Sequence, residues 1–249
     1  MTGHVLITGG GTGLGRAVAE MVGASQRVSL IGRRAGPIEE TAGTLQEAAA
    51  FAADVTDADA LAAAVRAAEE RFGPVTSLVA AAGISDTAPI QKTEPDMLRR
   101  LFAVNVEGVL NAVRVVLPAM VAAKHGRIVT IASTAALKGY AYAGAYAASK
   151  HAVLGLVRSL ALETAKTGVT VNAVCPGFAD TDMTATSIER IMEKTGRSAE
   201  AARAALAANS PMGRLVDPRE VADTVRWLLG ADASAITGQA IVVAGGEVM

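Results

Sequence analysis

The sequence predicts an α/β fold, a single domain built on a doubly wound parallel sheet of about seven strands with helices on both faces. Three observations carry that expectation. Short β-branched runs alternate with longer alanine-rich helical patterns, a glycine-dense turn directly follows the first run and directly precedes a helix, and no linker-like, repeated or low-complexity stretch divides the 249 residues. Such alternation is what β-α-β units require, because parallel neighbours must be joined by a crossover, usually a helix.

The strands are brief: HVLIT (4–8), RVSLI (27–31), AAFAA (49–53), TSLVA (76–80), RIVTIA (127–132), VTVNAV (169–174) and AIVVA (240–244). Helical patterns fill the intervals 13–23, 36–48, 57–72, 95–124, 144–166 and 218–230. Asp57 is placed to cap the third, and Pro218 sits where the last begins. The stretch 180–210 is polar, is broken by Gly196 and has no strand pattern, so it reads as a substrate loop or lid within the one catalytic domain, 1–249.

Composition narrows the function classes. The chain is 51% hydrophobic, ample for a filled core, and 23 Lys+Arg against 24 Asp+Glu leave a net charge of −1 with no basic cluster. Nucleic acid and anionic membranes are therefore not expected partners. MTGHVLITGG lacks the features of a signal peptide and no run matches the ~18 uninterrupted apolar residues of a membrane span, so a cytoplasmic location is expected. The single Cys175 excludes an internal disulfide, and His4, His125 and His151 have no ligand spacing, so no metal site is expected.

Five glycines crowd residues 9 to 15 in TGGGTGLG. Following a strand and opening a helix, such a run lets the backbone turn sharply, approach a ligand closely and present free helix N-terminal amides to negative charge, which suits a pyrophosphate. Gly9, Gly13 and Gly15 hold the key spacing, with Gly10, Gly11, Thr12 and Leu14 between them. At the end of the second strand an acidic residue would bond a ribose 2′-hydroxyl; here SLIGRRAG places Arg33 and Arg34, which favours the 2′-phosphate of NADP(H).

Further on, Tyr146 and Lys150 are four residues apart on one helical face. A phenol is a poor acid at neutral pH unless its phenolate is stabilised, and an adjacent ammonium can do that. Ser133 ends a strand, where its hydroxyl could bond a carbonyl oxygen as hydride arrives. Tyr140 and Tyr142 have no lysine four residues later and read as loop or pocket residues.

With these residues in place, the chain resembles the short-chain dehydrogenases/reductases, a Rossmann-type family. TGGGTGLG is similar to the family's TGxxxGxG motif, and Ser133 with YAASK is similar to its active site. The resemblance implies that Tyr146 is the general acid, that Lys150 lowers its pKa and binds the nicotinamide ribose, and that Ser133 polarises the carbonyl. NVEG implies that Asn105 holds a water in a proton relay through Lys150. Asp54 and Val55 resemble the adenine-contacting pair. Ala81, Ala82 and Gly83 offer backbone to the adenosine side, and Pro176, Gly177, Ala179 and Thr181 of PGFADT resemble the segment that holds the nicotinamide end. The tail, ITGQAIVVAGG, resembles one that packs across a tetramer interface, implying a homotetramer.

Three departures stand out. AAAG (80–83) replaces the family's NNAG, Thr12 stands where many NADP-preferring members carry a basic residue, and AGG (244–246) replaces DGG. The segments RIVTIASTAALKG, SKHAVLG and VNAVCPGF look most like ketoreductases of 3-oxoacyl thioesters, on CoA or acyl carrier protein. Two other readings use the same residues: a dehydrogenase or carbonyl reductase of a free small alcohol or ketone, and a non-catalytic dinucleotide sensor.

Overall fold

Every strand expected from the sequence forms in the computed structural model, which describes residues 3–249. They are β1 (His4–Thr8), β2 (Arg27–Gly32), β3 (Ala48–Ala52), β4 (Ser77–Ala80), β5 (Gly126–Ile131), β6 (Val169–Pro176) and β7 (Ala240–Val243). All pairings are parallel, in the order β3-β2-β1-β4-β5-β6-β7. The helices are α1 (Gly13–Val22), α2 (Ala35–Gly43), α3 (Ala58–Phe72), α4 (Pro95–Phe102), α5 (Gly108–Ala122), α6 (Gly144–Thr164), α7 (Asp182–Thr195), α8 (Ala199–Ala207) and α9 (Pro218–Leu229). The result is one Rossmann-like domain.

The strand alternation sorts side chains into two cores. In β1, Val5 and Ile7 join Val18, Val22, Val225 and Leu228 in the layer under α1 and α9, whereas Leu6 points the other way to Leu61, Val65, Val116 and Val157 under α3, α5 and α6. A sheet covered on both faces explains why its central strands read as apolar runs. The strand order reverses between β1 and β4, and a crevice for a ligand opens at the carboxyl ends of strands on either side of such a switch point.

Helix boundaries follow local chemistry where it is strong. The Asp57 carboxylate accepts hydrogen bonds from the Asp59 and Ala60 amides at the start of α3. Asp217 caps α9 in a reciprocal box with Glu220, with Pro218 next in line.

Three expectations need correction. The helix expected over 36–48 stops at Gly43, because Ala48–Ala52 is drawn into the sheet beside β2 despite its helix-forming alanines. The helix expected over 95–124 is interrupted by a π-helical turn at Ala103–Glu107. The stretch expected to be a loop, 180–210, is largely helical: α7 ends at Gly196 with φ +68°, and α8 begins after the Ser198 side chain caps its first turn. Helical periodicity there is masked by its polarity, since one face of each helix is left outside the core.

The run Pro95–Ala122 is long and apolar enough by composition to cross a membrane. Its α5 part lays Val109, Ala112, Val113, Val116 and Met120 on the core.

Candidate active site

The glycine loop leaves β1 at the switch point and is packed closely against neighbouring backbone and the Leu30 side chain. Gly9, at φ +71°, lies so near Ala82 that a Cβ would stand 2.7 Å from that residue's backbone. A Cβ on Gly15 would meet the Gly9 carbonyl oxygen at 2.2 Å, and one on Gly11 would meet the backbone of α2 at 2.9 Å. These glycines are therefore a packing requirement as well as a turn. Thr12 is the N-cap of α1 yet makes no side-chain cap, and the first turn carries no acidic residue, so the amides of Gly13, Leu14 and Gly15 face outward with no side chain occupying their place. Leu14 turns its side chain into the core, leaving its backbone to the loop. A pyrophosphate fits this cradle on steric and electrostatic grounds.

Around it stand the other residues expected at the adenosine end. Arg33 follows β2 with its side chain 65% exposed, its Nε 3.8 Å from the Asp54 carboxylate. Arg34 is the exposed N-cap of α2. The Asp54 carboxylate also accepts bonds from the amide and hydroxyl of Thr56, at 2.9 and 2.8 Å. Val55 buries its side chain against Gly108, where a Cβ would come within 2.6 Å, so the glycine of NVEG makes room for it. Ala81 and Ala82 donate their amides to the carbonyl and hydroxyl oxygens of Thr8, at 3.1 and 3.3 Å. Thr8 thus braces a loop that has alanine in place of asparagine.

At the reacting end, Ser133 follows β5 and Tyr146 and Lys150 lie on the first turns of α6. Burial raises the Tyr146 phenol above its ordinary pKa, and the neighbouring Ser133 side chain draws it part of the way back. Lys150 is buried, donates to the Ile131 carbonyl at 2.9 Å, and stands 5.9 Å from the centre of the Tyr146 ring. Desolvation lowers the lysine to about 8, with Cys175 nearby raising it slightly. At pH 7 that ammonium is still mostly protonated.

Asn105 sits in the π-helical turn, and Gly83 joins it to the lysine: a Cβ on Gly83 would stand 3.3 Å from Asn105 Oδ1 and 3.6 Å from Lys150 Nζ. The Asn105 side chain is fully engaged. Its Oδ1 accepts from the Ile84 amide at 2.9 Å, and its Nδ2 donates to the Ile84 carbonyl and the Ser149 hydroxyl, both at 3.0 Å. Ser149 had no signal in the sequence beyond its place inside YAASK.

The third wall is the segment leaving β6. The Gly177 amide donates to the Val243 carbonyl, and Ala179 is pinned by a bridge to Val216. Thr181 begins α7 and comes within 3.6 Å of where a Gly13 Cβ would be, closing the cleft over the glycine loop. Two ion pairs tie the helices above: Arg203 of α8 to Asp180, and Arg190 of α7 to Asp86 beyond β4. The Ala244 of AGG is buried beside Gly177, where an added Cβ would stand 3.1 Å from the Ala244 methyl. Sequence reasoning missed Glu247, whose carboxylate reaches Tyr140 and Lys138 beside Ser133, and Phe178, which meets the Tyr140 ring edge-on at 6.1 Å.

Comparison with known proteins follows this geometry. Residues 3–191 match the short chain dehydrogenase family. The chain is 38% identical over 248 residues to a provisionally named ketoacyl reductase of Streptomyces coelicolor, covering 97% of this chain and 95% of that one. It is 36% identical over 247 residues to 2-(S)-hydroxypropyl-CoM dehydrogenase 3 of Xanthobacter autotrophicus, again covering 97% and 95%. Among solved structures, a variant of actinorhodin polyketide ketoreductase with NADPH superposes with a TM-score of 0.95 at 37% identity, covering 99% of this chain and 97% of that one.

Proposed function

The chain belongs to the short-chain dehydrogenase family, oxidoreductases that bind a nicotinamide dinucleotide and act on CH–OH groups, and from that premise we propose an NADPH-dependent reductase of 3-oxoacyl thioesters. The observation that carries this reading is the buried Lys150, whose Nζ stands 5.9 Å from the centre of the Tyr146 ring, on a helix beside the strand end that leads to Ser133 and a glycine cradle shaped for pyrophosphate. Ketoacyl and polyketide ketoreductase relatives along nearly the whole chain support the substrate class.

The bound dinucleotide supplies a hydride to the carbonyl carbon. The chain's own residues do the rest. The amides of Gly13 to Gly15 would hold the pyrophosphate, and Arg33 and Arg34 would pair with the 2′-phosphate. Asp54, Val55 and the backbone of Ala81 to Gly83 would hold the adenosine side, and Pro176, Gly177, Ala179 and Thr181 the nicotinamide end. Ser133 donates to the carbonyl oxygen and orients it, and Tyr146 delivers its hydroxyl proton to that oxygen as it becomes an alkoxide. Lys150, protonated below about 8, stabilises the phenolate left behind and holds the nicotinamide ribose. With the Asn105 side chain committed to Ile84 and Ser149, a relay water would be held by the Asn105 main-chain carbonyl in the π-helical turn.

A dehydrogenase of a small alcohol is the second reading, favoured by the likeness to the hydroxypropyl-CoM enzyme. Acetoacetyl-CoA, its acyl-carrier-protein counterpart and a panel of free ketones and alcohols, run with NADPH or NADP⁺ in both directions, separate the two. Turnover of a thioester is expected, and a panel in which only free alcohols react would overturn the substrate class. Tyr146→Phe is expected to lower kcat by about 10²–10⁴ with dinucleotide binding retained, and an unchanged kcat would remove Tyr146 as the acid. We further propose a homotetramer of the cytoplasm: Leu110 and Val121 of α5 and Leu162 of α6 are exposed apolar side chains that a second copy would cover, and sedimentation reads the state directly.

A further inference from the structure

Outside the residues assigned above, the described chain holds one carboxylate deep in the site wall. Glu247 lies beyond β7, far from Ser133 in sequence, yet its side chain is only 1% exposed. Its Oε1 accepts a hydrogen bond from the Tyr140 hydroxyl and lies 3.1 Å from Lys138 Nζ, while its Oε2 stands 2.8 Å from where a Gly177 Cβ would be. Tyr140 and Thr134 share a further hydrogen bond at 2.5 Å, and Lys138 Nζ also lies over the Tyr140 ring, 4.7 Å from its centre.

These partners all belong to the turn that carries Ser133. The Ser133 hydroxyl accepts from the Ala135 amide at 3.1 Å, and the Leu137 and Lys138 amides both close on the Thr134 carbonyl, at 2.9 and 3.1 Å. Displacing Tyr140 or Lys138 therefore displaces the turn, and with it the Ser133 hydroxyl. A carboxylate so deeply buried is costly unless paired, and this one is paired only to groups of that turn.

We infer that Glu247 is a positioning residue for the reaction: it anchors the Ser133–Tyr140 turn through Tyr140 and Lys138, and so sets the Ser133 hydroxyl against Tyr146. Its second consequence concerns the two phenols. The Tyr140 hydroxyl donates its hydrogen bond to Glu247 and shares another with Thr134, so it has no proton free for a substrate, which separates its role from that of Tyr146.

The inference rests on Tyr146 acting as the acid, and the experiment keeps the two apart. With the best ketone from the panel, Glu247→Ala is expected to lower kcat tenfold or more while the KM for the dinucleotide stays within twofold. Glu247→Gln, which keeps an oxygen for the Tyr140 hydroxyl, is expected to restore most of the rate. Tyr140→Phe is expected to lose as much as Glu247→Ala, and the double variant no more than either alone. A kcat within threefold of wild type in Glu247→Ala, a Glu247→Gln as slow as Glu247→Ala, or losses that multiply in the double variant would overturn it. Tyr140→Phe removes only one oxygen, so should Glu247→Ala fail to fold, an unchanged kcat in Tyr140→Phe overturns it alone. A wild-type rate in Tyr146→Phe, by contrast, defeats the assignment of the acid and leaves the Glu247 geometry as it stands.

Discussion

The dinucleotide half of the site and the carbonyl half are built from different materials. Between β1 and β2 the cradle is mostly backbone: Gly9, Gly11 and Gly15 are packed on the main chain of Ala82, Pro37, Ile38 and Gly9, and Gly10 on the Leu30 side chain. Around Ser133 the site is side chains, drawn from the π-helical turn, from the turn after β5, from α6 and from beyond β7. A backbone site tolerates almost nothing where a Cβ would collide, whereas a side-chain site fails by degrees, one group at a time. The first is also contiguous in sequence and the second is not.

The contrast is broken or sharpened most by Gly15→Ala. Its Cβ would enter the Gly9 carbonyl at 2.2 Å, so the loop must open. We expect dinucleotide affinity to fall by about 100-fold or more and stability by about 3 kcal/mol, read by fluorescence titration and denaturant midpoint. A variant that binds normally would show that the cradle is more pliable than its packing implies.

Lys150→Met tests the other half. In the folded protein Lys150 loses its proton near pH 8, but in the unfolded chain only near 10.5. Between those values the unfolded chain binds more protons, so wild-type stability climbs as pH rises from 8 to 10.5, while ketone reduction, which needs the ammonium, declines as pH rises through 8. The methionine variant is expected to lose both trends and nearly all turnover. Relief of the buried charge should also raise its melting temperature at pH 7, by about 2–4 °C for each kcal/mol released. A melting temperature that falls instead would mean that the bond to Ile131 outweighs the desolvation of the charge.

The smallest of these effects is expected from Arg33→Ala, at the exposed edge of the cradle. Loss of a charge-assisted bond to the 2′-phosphate should raise the KM for NADPH by about tenfold and leave NADH nearly unchanged. Equal effects on the two cofactors would show that Arg33 serves Asp54 and not the phosphate.

Legibility followed the same division. The glycine loop could be read because all its constraints lie within a few residues of a strand and a helix. Tyr146 and Lys150 could be paired because helical spacing places residues four apart on one face. Asn105 was legible only through resemblance, and its side-chain partners, Ile84 and Ser149, carried no pattern at all. The helices of 180–210 were hidden because a polar helix outside the core shows little of the periodicity that reveals a buried one. Ala48 misled in the opposite direction, since the propensity of alanine is helical and only pairing with β2 placed it in β3.

By itself, then, the sequence determined the alternating α/β architecture, the glycine turn between β1 and α1 and the placing of Tyr146 and Lys150 on one helical face, because each depends on periodicity, turn chemistry or spacing along a few residues. Only the tertiary structure decided that the side chain of Asn105 is already occupied and that Glu247 reaches back 107 residues to Tyr140. Those facts depend on which strand ends meet at one edge of the sheet. No local pattern records that choice, because it is made by packing all the elements at once.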